Sequence, residues 1–158
     1  MEAIMEKISQ RKYDELAARL KYLETTATVE VAEAIKKAKE FGDLSENAEY
    51  SAAKEAQVQV YREISNIEMK LSDVEIIDES TISTKKVCLG TIVRVLDIEF
   101  NEEEDFKIVS SIEANSKENK ISEHSPIGKA LIGAKKGDVV FAQTPGGKLE
   151  LKILKITK

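Results

Sequence analysis

A sustained helical pattern is broken once, at Gly42-Asp43, and the break splits it into two arms of similar length. Before it, the apolar positions Tyr13, Leu16, Leu20 and Leu23 step by three or four residues, and Val31, Ile35 and Ala38 carry the stripe toward Phe41. After it, Val60, Ile64, Ile67, Leu71 and Val74 keep the same rhythm. Steps of three and four place side chains on one face of a helix, and two such faces bury each other as a coiled coil. Glycine suits the left-handed position just past a helix end, and aspartate suits the N-cap of the helix that follows. The chain is therefore expected to double back as an antiparallel αα-hairpin. Arms of roughly 30 residues extend on the order of 45 Å, more than a small domain needs for its own core.

The second half changes period. Val87–Ile98 and Phe106–Ile112 read as strands, and Val139–Thr144 and Leu149–Thr157 read as a hairpin across Pro145-Gly146-Gly147. Ser125-Pro126 starts a short helix, with serine as N-cap and proline in the first turn, ending near Gly133. An antiparallel sheet with one helix packed on it buries these faces most simply. The expected fold class is α+β, with a coiled-coil finger over residues 1–76, a polar linker over 77–86 and a sheet domain over 87–158. The acidic run Glu102–Asp105 is expected in a solvated hairpin loop, because neighbouring like charges repel.

Composition narrows the function classes. The net charge of −5 lies in residues 1–76, whereas 77–158 balance. Neither half offers the broad basic surface that autonomous duplex binding requires. Apolar runs are too short for a membrane span, and the first residues lack the basic flank and apolar core of a secretory signal. A cytoplasmic location is expected. Cys88 is the single cysteine and His124 the single histidine, so a Cys/His zinc site cannot be assembled. Cys88 falls in a strand pattern and is expected to be packed.

The break itself carries two acids, Asp43 and Glu46, within a tip spanning residues 42–50. Two readings of them stand side by side. Asp43-Leu-Ser-Glu46 has the spacing of a capping box, in which the first side chain takes a backbone N–H and the glutamate reaches back. Two carboxylates also make an incomplete Mg²⁺ site, since that ion keeps several waters and takes one or two carboxylates plus phosphate oxygens.

The segment Gly42–Gln57 resembles the tip signature of the bacterial Gre transcript cleavage factor family. Ser125–Gly133, Lys136–Val140 and Thr144–Gly147 resemble that family's C-terminal domain, in the same order and at the same spacing. The resemblance implies a coiled-coil hairpin followed by an FKBP-like antiparallel sheet with a short helix. It implies that the finger enters the secondary channel of bacterial RNA polymerase while the second domain docks at the channel rim. Asp43 and Glu46 would then share Mg²⁺ with the polymerase and assist its hydrolysis of the 3′ end of backtracked nascent RNA. On this reading the protein is a cofactor of the polymerase rather than an enzyme. It meets DNA only through the polymerase complex, and it is expected to be a monomer with no membrane partner.

By the same resemblance, Asn47, Glu49 and Tyr50 support the tip, and Lys39 and Lys54 are candidates for contacting displaced RNA. Lysine lacks the planar fork of the arginines common at those positions. Ser125, Pro126, Gly128 and Lys129 are candidates for docking, while Ile127, Leu131 and Ile132 are expected to face the sheet. The chain departs from the family near its start: Met5–Tyr13 lacks an early glycine, and Thr25–Val31 lacks an Arg-Pro-Glu string. Three alternatives remain: a regulator that binds the channel without promoting cleavage, an FKBP-like prolyl isomerase or chaperone, and a purely structural coiled-coil adaptor.

Overall fold

The computed structural model describes residues 6–42 and 47–158, so Asp43, Leu44, Ser45 and Glu46 lie outside the described residues. The chain forms two compact units, one of Arg11–Asp73 and one combining Met1–Gln10 with Val74–Lys158. Strand β1 (Glu6–Ile8) belongs to the second unit because it pairs in parallel with β2 (Val74–Ile76). The helical unit thus begins later than the finger expected over 1–76. Residues 77–86, expected as a linker, include a 3₁₀ turn at Glu79–Thr81, and Ile77 donates its N–H to the carbonyl of Ile8 at 2.8 Å.

In the helical unit, the first arm comprises α1 (Gln10–Tyr22), a π-helical turn (Leu23–Ala27) and α2 (Thr28–Lys39); the second arm is α3 (Ala48–Ser72). At 25 residues, α3 runs about 37 Å. Most of the sequence stripes form the interface: Leu23, Ala27 and Ile67 are buried, flanked by Leu16, Leu20, Val60, Ile64 and Leu71, whereas Val74, expected on the second stripe, leaves the helix for β2. Leu23, Ala27 and Val31 recur every four residues, and the wider turn keeps them on one face. Its signature is the Thr28 N–H reaching the Leu23 carbonyl, a bond five residues back. Thr25 and Thr28 return their hydroxyls to the carbonyls of Lys21 and Glu24. Arg19 grips Glu63 across the arms through two bonds of 2.7 and 3.1 Å, which lowers the pKa of the Glu63 carboxyl. The pair's modest support is therefore present at neutral pH and lost as acid protonates Glu63.

In the sheet unit, β3 (Ile92–Asp97), β4 (Glu102–Val109), β5 (Lys120–Ser122), β6 (Val139–Thr144) and β7 (Gly147–Thr157) are ordered β5-β4-β3-β7-β6. Every pairing is antiparallel except β4 with β5. The short helix α4 (Pro126–Leu131) packs on the sheet by burying Leu131 among Val87, Val93, Val95, Phe106, Ile108, Leu151 and Ile153.

Two expectations are corrected here. The first strand opens at Ile92, because residues 87–91 make a turn in which Thr91 Oγ1 donates to the Cys88 carbonyl and Gly90 takes φ +94°. A Cβ at Gly90 would lie 2.6 Å from Ile82 Cδ1. The acidic run Glu102–Asp105 is not a loop but the first half of β4, which ends at Val109. Arg94, directly opposite Asp105 on β3, bonds Glu103 at 2.9 Å and Asp105 at 3.4 Å. A facing cation removes the repulsion on which the loop expectation rested.

Candidate functional site

The described part of the tip is organised by Asn47. Gly42 has φ +94° and closes the first arm, its N–H reaching the Lys39 carbonyl at 3.4 Å. Asn47 is the N-cap of α3, in extended backbone, and its Oδ1 accepts the Tyr50 N–H at 3.1 Å. Its Nδ2 donates to the Ala38 carbonyl at 2.6 Å. One side chain thus serves an unpaired N–H of α3 and ties α3 to the end of α2. Ala38 and Ala53 are both buried, and such small side chains let the helices close together here. The capping role weighed for Asp43 falls to Asn47 in α3. Asp43 and Glu46 themselves lie outside the described residues.

Around this clamp, Glu49 is exposed and Tyr50 half-buried. Lys54 is exposed, with Nζ 6.0 Å from the centre of the Tyr50 ring. Lys39 is exposed in the last turn of α2, where a cation complements the helix dipole. Phe41, expected to continue the buried stripe, is instead 71% exposed. Its spacing suited the stripe, but it lies beyond the end of α2, so the helical face no longer governs where it points. An exposed aromatic beside Gly42 is the tip feature that periodicity concealed. Replacing Asn47 by alanine is expected to cost about 1–2 kcal/mol through the lost cap and to be visible as faster amide exchange at Tyr50. Unchanged exchange there contradicts the clamp.

The four docking candidates separate into two kinds. Ser125 Oγ accepts the Gly128 N–H at 3.0 Å and donates to the Ser122 carbonyl at 2.7 Å, so its hydroxyl is spent on capping α4. Gly128 is buried, and a Cβ there would lie 2.0 Å from the Ser122 carbonyl oxygen. Only Pro126 and Lys129 of the four are exposed. Ile127 and Leu131 pack toward the core as expected, whereas Ile132 is 40% exposed because the helix ends at Leu131.

Comparisons with known proteins find sequence matches in both units. A family model described as transcription elongation factor, N-terminal, matches residues 6–76, and one described as transcription elongation factor, GreA/GreB, C-term, matches residues 82–158. The transcription elongation factor GreA of Thermoanaerobacter pseudethanolicus is 48% identical over 143 residues, covering 90% of this chain and 91% of its own. That of Clostridioides difficile is 46% identical over 151 residues, covering 96% and 95%. A crystal structure of GreA factor homolog 1 (Gfh1) of Thermus thermophilus is 29% identical with a TM-score of 0.45, covering 98% of this chain and 99% of its own. The chain belongs to the GreA/GreB family of transcription elongation factors.

Proposed function

We propose that this elongation factor enters the secondary channel of bacterial RNA polymerase with its helical hairpin and stimulates the polymerase's own cleavage of the 3′ end of backtracked RNA. The observation that carries the reading is Asn47. Because Asn47 caps α3 and binds it to α2, the cap of α3 does not require Asp43. The donor set suits Mg²⁺: two carboxylates are hard oxygen ligands, and an incomplete set of them is how this ion is usually held when phosphates supply the rest. Asp43 and Glu46 would hold the ion jointly with the polymerase. An Mg²⁺ held there would supply Lewis-acid chemistry, activating water and offsetting the negative charge of hydrolysis.

The remaining work belongs to the chain itself. The hairpin supplies reach, Asn47 fixes the turn, Glu49 and Tyr50 border it, and the ammonium groups of Lys39 and Lys54 attract RNA phosphate. Pro126 and Lys129 present the sheet unit's docking surface at the channel rim, with Ser125 and Gly128 shaping the loop beneath them. The factor carries out no chemistry alone, meets DNA only through the polymerase, and works as a monomer in the cytoplasm. No described helix is long and apolar enough to cross a membrane.

An isomerase reading is disfavoured by the aromatic residues. Phe106 is buried in the core while Phe100 and Phe141 stand exposed, and the 380 Å³ cavity beside Ile77, Ile82 and Ile108 has no aromatic in its lining. The reading is tested by adding the protein to a backtracked polymerase complex bearing 3′-labelled RNA in Mg²⁺. Release of labelled di- or trinucleotides is expected. No stimulation at saturating protein overturns it.

A further inference from the structure

We propose that Glu6, Glu123 and His124 form a second metal site, for Zn²⁺, independent of the tip. Glu6 lies on β1, and Glu123 and His124 occupy the turn between β5 and α4. The backbone of that turn is fixed: Glu123 N–H reaches the Val109 carbonyl at 2.9 Å, and His124 N–H reaches Ser122 Oγ at 3.1 Å. Each residue offers a ligand atom, and these atoms all lie within 4.8 Å of one another.

Two further observations point to a cation. Glu6 Oε2 is sealed from solvent and has no hydrogen-bond partner among the described residues. A carboxylate oxygen in that state is costly unless a positive charge meets it. His124 Nε2 lies 3.4 Å from Glu123 Oε1, long for a charged hydrogen bond. It matches the edge of about 3.4 Å between two ligands of a tetrahedral ion with bonds of about 2.1 Å. One imidazole and two carboxylates suit Zn²⁺ better than Mg²⁺, which prefers oxygen alone. His124 is exposed, leaving a side open for water as the fourth ligand. The ion would staple β1 to the turn that enters α4 one residue before its Ser125 cap.

The test titrates the full chain with Zn²⁺ by calorimetry, and with Co²⁺ by visible absorption, in a background of Asp43→Asn and Glu46→Gln. One equivalent should bind, with the intense bands of four-coordinate Co²⁺. Glu6→Gln or His124→Gln should each weaken Zn²⁺ binding by more than about tenfold, since loss of even an outer partner of a ligand costs that much. The exposed position of His124 makes His124→Gln compatible with folding, which a metal-free melting curve matching the parent verifies. The site is refuted by no stoichiometric binding, by binding indifferent to both substitutions, or by binding that needs the tip acids.

Discussion

Substituting Asp43→Asn together with Glu46→Gln is expected to leave polymerase binding intact and to slow factor-dependent RNA cleavage about a hundredfold or more. The amides keep the size of the acids but remove the charge that would hold Mg²⁺. An ion stabilising a phosphoryl transition state contributes several kcal/mol, and each 1.36 kcal/mol is about tenfold in rate. Neither change removes the cap of α3, because Asn47 supplies it, so the hairpin should melt as the parent does. Competition for polymerase reads binding, and release of 3′-labelled RNA reads cleavage. Unimpaired cleavage would sink the proposed role of the pair, while equal loss of binding and cleavage would assign the acids to docking instead.

Leu131→Ala should be strongly damaging in the sheet unit. Leu131 is fully buried and anchors α4 against Val87, Val93, Ile108 and Ile153. Truncating such a leucine costs about 2–5 kcal/mol through lost transfer energy and the cavity left behind. In a unit of this size the melting temperature should fall on the order of 10 °C or more. A helix of six residues cannot hold itself without packing, so Pro126 and Lys129 should lose their fixed presentation and polymerase binding should weaken in parallel. A melting shift of only a degree or two contradicts this view of α4, as does full binding by a clearly destabilised variant.

The hairpin was legible because its stripes depend on nothing but helical period and burial. Leu16, Leu20, Leu23, Ile64 and Ile67 need no distant information to be assigned. The π turn was invisible for the same reason: Leu23, Ala27 and Val31 recur at a step that an α-helix also allows, and only the Thr28 bond to Leu23 reveals the wider turn. At the tip, Asp43-Leu-Ser-Glu46 has the spacing of a capping box and lies outside the described residues, while Asn47, four residues on, supplies the N-cap of α3.

In the second unit, local signals located the Ser125-Pro126 helix start and the strands on either side of Pro145-Gly146. What they missed was set by pairing across the chain. Glu102–Asp105 become strand because Arg94 faces them, and β1 exists because Glu6–Ile8 meet Val74–Ile76. Three residues carry no periodicity of their own.

The central claim is that the tip acids help hold the catalytic ion, and the dependence of cleavage on Mg²⁺ tests it most directly. Cleavage of one backtracked complex should be followed as Mg²⁺ is raised, without factor, with the parent chain and with Glu46→Gln, each at saturating protein. The parent should reach half-maximal rate at a clearly lower Mg²⁺ concentration than the factor-free complex, and Glu46→Gln should return the requirement toward the factor-free value. A half-maximal concentration that is the same in all three contradicts a shared metal at Asp43 and Glu46.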